Sequence, residues 1–190
     1  MRRRTPRLLL RDFLPDDWRA VLAYQSDLRY QRYYPEVTRD EPAARRFVAM
    51  LIAMAEETPR CSFQLAITLP EDGQLIGNCG LRRRSVDATE GDIGYELDPT
   101  FWGRGYATEA AREMLRFGFA ELRLHRIWAE CIAENRASAR VLEKVGMRQE
   151  GRLREKEWMR GRWWDVLIYG ILAHEWERCR MMSDTGMSDQ

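Results

Sequence analysis

The feature that most limits how this chain can fold is a double change of hydrophobic period in its middle. From Asp92 to Leu97 the pattern alternates, placing Ile93, Tyr95 and Leu97 on one side and Gly94 and Glu96 on the other, as a strand requires. Asp98-Pro99 ends that run. After a turn from Thr100 to Gly105, apolar and small residues recur at Ala111, Met114, Leu115, Gly118 and Leu122, which is the stripe of a helix. Arg126 to Ile132 is a strand again. A strand–helix–strand crossover makes its two strands parallel, because a helix cannot serve as a hairpin turn. The unit spanning residues 92 to 132 therefore presents a glycine-containing turn at the carboxyl end of one strand and the amino end of a helix. Sheets of this kind take ligands there.

The remaining segments read as antiparallel neighbours of that unit. Arg7 to Phe13 is a first strand, and Asp16 and Asp17 cap a helix from Trp18 to Ser26. Tyr30 to Pro35 is an aromatic loop. A second helix starts at Glu41-Pro42, with Phe47, Met50, Leu51 and Met54 on its apolar face, and ends before Pro59. Phe63 to Ile67 and Leu75 to Leu81 form a hairpin around Pro70-Glu71-Asp72-Gly73, whose Asp-Gly supplies the positive φ angles of a tight turn. Asn135 to Val145 is a short helix closed by Gly146, and two strands, Arg148 to Trp158 and Trp163 to Leu172, complete the order β, α, α, β, β, β, α, β, α, β, β. The fold class is α/β (α+β), a mixed, mostly antiparallel twisted sheet around one central parallel β-α-β unit. Residues 1–177 read as a single domain and 178–190 as a flexible polar tail.

Composition narrows the function by exclusion. With 190 residues a core forms without metal or disulfide staples. Lys plus Arg number 31 against 30 Asp plus Glu, so the total charge of +1 gives polyanion binding no support, and no specific nucleic acid is expected. A rival reading as an RNA-associated protein would have to use Arg2, Arg3, Arg4, Arg7 and Arg11. No apolar run approaches the roughly 20 residues that cross a bilayer, and Arg11-Asp12 interrupts the leucines that could begin a secretory signal. Cys61, Cys79, Cys131 and Cys179 are scattered, none makes a C-x-x-C, and with His125 and His174 they form no metal-ligand pattern, so no metal is expected. Free thiols in a reducing cytoplasm fit best.

Taken as chemistry, Trp102-Gly103-Arg104-Gly105-Tyr106-Ala107-Thr108 is an anion cradle. Glycines allow close approach of backbone, and the first amides of a helix lack internal acceptors and sit at the positive end of its dipole. A plain strand-to-helix turn would use the same glycines. A P-loop would need Gly-Lys-Ser/Thr, which is absent, and a dinucleotide fingerprint would need glycine where Thr108 stands.

The stretch resembles the pyrophosphate motif of the GNAT acyltransferase superfamily, Q/R-x-x-G-x-G/A, with Gly105 and Ala107 at its last two fixed positions and Trp102 where Gln or Arg is usual. Gly94 to Ala110 is similar to the RimJ/RimL branch, as are Asn135 to Gly151 (with Met147 in place of Phe) and Gly161 to Leu172. The likeness runs from Arg7 to about Trp176. It implies the GNAT fold with two splayed strands, and acetyl-CoA as co-substrate with its diphosphate on the amides of Gly103, Arg104, Gly105, Tyr106, Ala107 and Thr108 and with Trp102 also at the coenzyme. It implies that the pantetheine arm lies between Tyr95-Glu96-Leu97 and Cys131-Ile132, with Asn135 and Ser138 bonding the coenzyme. The amide of Leu97 would polarise the thioester carbonyl, Glu96 would act as base ahead of Glu130, and Ser138 would protonate the departing sulfur. Arg140 and Lys144 are candidates for the coenzyme's 3′-phosphate. The acceptor groove falls to the first two helices and last strands, with Tyr33, Tyr34, Glu36 and Trp164 as substrate contacts. The resemblance points to an N-acetyltransferase acting on a protein α-amino group, as in ribosomal proteins. A small amine (polyamine, amino acid or antibiotic) or a noncatalytic acyl-CoA binder are the alternatives. A homodimer is expected from the relatives and from tryptophans on the last strands.

Overall fold

The computed structural model describes residues 1–178. Its strands are β1 (Arg2–Arg4), β2 (Leu9–Arg11), β3 (Ser62–Thr68), β4 (Leu75–Arg82), β5 (Glu90–Leu97), β6 (Arg126–Ile132), β7 (Arg148–Met159) and β8 (Arg162–Leu172). The helices are α1 (Trp18–Gln25), α2 (Leu28–Gln31), α3 (Glu41–Glu56), α4 (Tyr106–Ala120) and α5 (Arg136–Lys144). All eight strands form one sheet in the order β1-β2-β3-β4-β5-β6-β8-β7. Every pairing is antiparallel except β5 with β6, the pair joined by α4. This is the mixed sheet with one parallel unit that the period changes required.

The strand period divides the core in two. Leu65, Ile67, Cys79, Leu81, Ile93, Leu97, Ile127, Ala129 and Cys131 face α4 and α5, where Ala110, Ala111, Met114, Leu115, Ala139 and Leu142 meet them. On the opposite face α1 and α3 pack Trp18, Val21, Tyr24, Ala44, Val48 and Leu51 over Ala66 and Leu75. The second face is thus roofed only above β3 and the start of β4. Further along, the sheet is left to polar side chains.

Parallel pairing of β5 with β6 is short. Glu90, Gly91 and Asp92 pair with Arg126, Ile127 and Trp128, and there it stops. Beyond that point β5 stays on β4, to Gly77↔Leu97, and β6 stays on β8, to Ile132↔Val166. The two strands therefore part over their carboxyl halves, as expected.

Several local expectations need correction. The first strand is only Leu9–Arg11, and it folds back on β1, a strand that three consecutive arginines did not announce. Long-range charge fixes β1: Arg3 pairs with Glu113, midway along α4, at 2.6 Å and also with Glu121 at its C-cap. Arg7 pairs with Glu109 and Arg11 with Asp17, so three of the five arginines proposed for RNA are engaged by carboxylates. Asp16 and Asp17 lie in a 3-10 turn, and although Asp17 holds the N-cap position of α1 its side chain makes no cap bond; the carboxylate instead accepts from the Leu14 amide and both terminal Arg11 nitrogens. The aromatic loop contains α2, started by Asp27, which accepts from the Arg29 amide. The buried stripe of α3 is Ala44, Val48 and Leu51, while Met50 faces outward. Tail residues 179–190, with Cys179, lie outside the described residues.

Candidate active site

The parted strands open a cleft of about 1110 Å³ that runs from the start of α4, between β5 and β6, to α2. Sheet alternation decides what the cleft is lined with. Asp98 donates its amide to Ile76, so Glu96 and Asn78 are the hydrogen-bonded pair before it, and Leu97 opposite Gly77 is not. The Leu97 N–H therefore points away from β4, into the opening. By the same count, Ala133 bonds Asp165 on β8, which turns the backbone of Glu130 and Ile132 toward the opening from the other side. Backbone donors and acceptors of two strands thus face a gap too wide for them to meet.

At one mouth lies the glycine turn. Pro99–Phe101 is a 3-10 turn closed by Asp98, whose carboxylate accepts from the amide and hydroxyl of Thr100 at 2.8 Å. Gly103 (φ 76°) and Gly105 (φ 82°) are both left-handed, a conformation that costs an L side chain roughly 1–2 kcal/mol. Gly105 is the N-cap of α4 and has no side chain to satisfy the first turn, so the amides of Tyr106, Ala107 and Thr108 remain open to a ligand. Trp102 is exposed and its indole N–H donates to the Leu97 carbonyl at 2.8 Å, tying the turn to the end of β5. Trp102, Gly103, Gly105, Tyr106, Ala107 and Thr108 all line the cleft. Arg104 does not: its guanidinium sits 5.3 Å over the Phe101 ring, and its carbonyl accepts from Arg7 at 3.0 Å.

Arg7 is a residue that sequence reasoning missed. It bonds Glu109 through Nε at 2.7 Å, holds the Arg104 carbonyl and lies over Tyr106. Burial opposes the charge of Glu109, but the Thr5 hydroxyl and the Arg7 amide and guanidinium outweigh it and hold the carboxyl below its ordinary range. The turn is thus braced from the first strands of the sheet. Across the mouth, Arg136, Arg140 and Lys144 share one face of α5 at four-residue spacing and line the cleft; among the described residues none forms an ion pair.

Asn135 is the N-cap of α5, its Oδ1 accepting from the Ser138 amide at 3.1 Å. Ser138 is therefore not a cap, and its hydroxyl is left beside the Tyr95 phenol at 3.1 Å; that phenol also donates to the Ser138 carbonyl. Burial raises the Tyr95 phenol, so it stays a proton donor. Burial likewise pushes the neighbouring Cys131 thiol up to about 11, against a bond from Ser138.

Glu96 stands on the other face of β5, deep in the cleft. Its Oε2 accepts from Tyr24 Oη (3.1 Å), Asn78 Nδ2 (3.1 Å) and Gln25 Nε2 (3.3 Å). All three donors are neutral, and among the described residues no arginine or lysine pairs with this carboxylate. The Tyr24, Tyr30 and Tyr34 phenols are pushed far above their ordinary range, first by burial and then by the Glu96 charge. They remain protonated around it. Asn78, 1% exposed, was the missed signal: an amide between Ile76 and Cys79 interrupts an otherwise apolar and glycine strand. Glu130 lines the cleft too, but it is paired with Lys156.

The expected substrate residues divide. Tyr33 and Tyr34 line the cleft beside α2; Tyr33 donates to the Glu134 carbonyl and Tyr34 stacks on Tyr30 at 4.4 Å. Trp164 is buried behind Tyr33, edge-on at 6.1 Å, with its indole on the Met159 carbonyl, and does not reach the cleft. Glu36 is exposed outside it, 3.7 Å from Arg160.

Known proteins share this fold. Residues 7–148 match the family model described as acetyltransferase (GNAT) domain. The chain is 38% identical over 173 residues to an uncharacterized N-acetyltransferase of Bacillus subtilis (strain 168), YnaD, covering 90% of this chain and 97% of that one. It is 34% identical to a GNAT-family acetyltransferase from Bacillus anthracis of known crystal structure, with a TM-score of 0.80 over 92% of this chain and 99% of that one. A shorter likeness, 32% over 106 residues (56% of this chain, 58% of the other), is to YdaF of Bacillus subtilis (strain 168), named provisionally as a ribosomal N-acetyltransferase.

Proposed function

The chain belongs to the GNAT acetyltransferase family, and on that premise we propose that residues 1–177 form one transferase domain moving an acetyl group directly from acetyl-CoA to the α-amino group of a protein. The observation that carries this reading is Glu96: a carboxylate held by three neutral donors on one oxygen, with no cation of its own, beside the Leu97 amide at the parted end of β5. Such a group is free to receive an ammonium and take its proton.

The residues fit the coenzyme. The amides of Tyr106 to Thr108 and the left-handed Gly103 and Gly105 suit its diphosphate, and Arg136, Arg140 and Lys144 suit its remaining phosphate. The exposed backbone of Glu130 and Ile132, with Asn135, suits the amides of its arm. When bound it supplies an activated acyl thioester. Glu96 orients the acceptor ammonium and accepts its proton, directly or through water. The Leu97 amide is the fixed dipole for the acyl oxygen. Ser138, coupled to the Tyr95 phenol, hands a proton to the sulfur as the C–S bond breaks and the N–C bond forms.

A protein terminus is favoured over a polyamine by what lies past Glu96. The cleft offers Arg82 there, a donor to peptide carbonyls, whereas the second lining carboxylate without an ion pair among the described residues, Glu157, stands away from Glu96 on the edge strand β7. The likeness to YdaF points the same way. The test is a panel of free-terminus peptides and small amines with acetyl-CoA, scored by thiol release and a one-acetyl mass gain. Glu96→Gln and Ser138→Ala should each lower kcat, Glu96→Gln by roughly 100-fold, with coenzyme affinity retained. Wild-type turnover in both would remove their roles. Acetylation of polyamines but of no peptide would overturn the acceptor.

A further inference from the structure

Glu96 does not touch an arginine, yet two arginines govern how it is held. On the sheet, the Arg82 guanidinium is fixed by Asp92 and donates from Nη1 to Gln64 Oε1 at 3.2 Å. Gln64 Nε2 donates to Asn78 Oδ1 at 2.5 Å, and Asn78 Nδ2 donates to both Glu96 Oε2 and the Tyr24 hydroxyl at 3.1 Å. On the helix side, Arg39 Nη1 donates to Gln25 Oε1 at 3.3 Å, and Gln25 Nε2 donates to the same Glu96 oxygen. A guanidinium only donates, and a side-chain amide donates at one end and accepts at the other. Each arginine therefore sets which end of the next amide faces it, and every amide along the line is left pointing its N–H₂ at Glu96.

Two glycines make room for the longer line. A Cβ on Gly80 would lie 1.9 Å from Gln64 Oε1, and one on Gly94 would lie 3.1 Å from Arg82 Nη2. Neither glycine has a left-handed backbone, so neither is needed for its φ angle. They are flat places in the sheet across which Gln64 and Arg82 lie. Packing alone would not call for a row of amides there, since apolar residues would cover α1 equally well.

We infer that Gln64, Asn78 and Gln25 are positioning residues, forming two arginine-oriented amide relays that lock one Glu96 oxygen and leave the other, still charged, for the acceptor amine. Direct contact with an arginine would hold the carboxylate as firmly but would neutralise the charge that draws in the ammonium. The relays give orientation without that loss. This inference rests on the reading of Glu96 as the base.

Gln64→Glu is the discriminating change. It keeps shape and strengthens the bond to Arg82, but it cannot donate to Asn78, whose amide must then turn its oxygen toward Glu96. Gln25→Glu does the same on the other line. With acetyl-CoA and the best peptide acceptor of the panel, each variant should lower kcat by roughly 10-fold or more, while the melting temperature and acetyl-CoA dissociation constant stay at the wild-type values. Should either variant also lose thermal stability, the Arg39 pair decides: Arg39→Lys, still only a donor, should hold kcat several-fold above Arg39→Met. Wild-type kcat in Gln64→Glu, or equal losses in Arg39→Lys and Arg39→Met, would overturn the relays. Loss of turnover in Glu96→Gln alongside full turnover in Gln64→Glu would sink the relays and spare the base. Full turnover in Glu96→Gln would sink both.

Discussion

Replacing Gly77 with alanine should separate catalysis from folding more sharply than any substitution of a catalytic side chain. Gly77 lies on β4 opposite Leu97. A Cβ there would sit 2.2 Å from the Glu96 carbonyl oxygen and 2.9 Å from the Leu97 Cα, both backbone atoms that no rotamer change can move. Restoring ordinary contact needs β5 to shift by about 1 Å, and the segment that must shift carries both the Glu96 carboxylate and the Leu97 amide. A misplacement of that size in a positioned site costs roughly 100-fold in rate, and the overpacking itself costs about 1–3 kcal/mol of stability. Gly118→Ala is the matched control. Its Cβ would press on Ile127 Cδ1 at 2.6 Å and Leu81 Cδ2 at 2.8 Å, side-chain ends on the α4 face, remote from Glu96. It should lose comparable stability and keep its turnover. The assay is steady-state thiol release at saturating acetyl-CoA beside thermal melts of both variants. Wild-type kcat in Gly77→Ala, or equal rate losses in the two, would refute the claim that the close approach of β4 and β5 positions the site.

The remaining predictions concern protons. Burial pushes the Cys79 thiol up to about 12 and Cys131 up to about 11, so at pH 8 both should resist iodoacetamide in the folded protein and react once it is unfolded; rapid labelling of native Cys131, read by peptide mass mapping, would contradict its placement. Asp12, Glu109 and Glu113 are held below their ordinary values of 3.8, 4.5 and 4.5. Burial opposes their charge in each case and bonds to Arg60, to Thr5 and Arg7, and to Arg116 and Arg3 outweigh it. Carboxyls depressed in the folded state bind fewer protons there than in the unfolded chain, so their contribution is complete above those ordinary values and is lost as pH falls through the lower folded ones. Urea unfolding free energy should thus hold from pH 7 to about 5 in respect of these groups and decline below about 4, less steeply in Arg3→Met; an acid limb unchanged in that variant would refute the long-range bracing of β1.

How far the sequence could be read depended on the distance over which each feature is decided. The parallel unit, the hairpin between β3 and β4 and the left-handed Gly146 are set by neighbours in the chain and stand where the sequence puts them, although in the hairpin turn only Gly73, and not Asp72, takes the expected positive φ. β1 is set by Arg3 meeting carboxylates 110 and 118 residues away, which no local pattern carries. α2 is a single turn, too short for any periodicity to register. The α3 face was legible in part: Leu51 is buried and Phe47 and Met54 pack against the core as their apolar character suggests, while the less apolar-looking Ala44 and the Val48 beside it complete the stripe and Met50 falls outside it.

The site divides along the same line, and the division carries a physical point. Its backbone elements were legible because they are consequences of strand and helix ends: an unpaired Leu97 amide, open first-turn amides of α4, two glycines at positive φ. Its side-chain environment was not. Glu96 could be named as a candidate, but a carboxylate in an arginine-rich chain is more readily imagined in an ion pair, and the chain supplies arginines near it on two sides. The structure places a neutral amide or phenol at every contact instead, with Arg82 and Arg39 one or two groups removed. Removing those intermediaries would let a guanidinium close on Glu96, gaining an ion pair and ending its availability to an amine. A site that must bind a cation in the midst of cations has to keep its own at a distance, and Gln64, Asn78 and Gln25 are what keep them there.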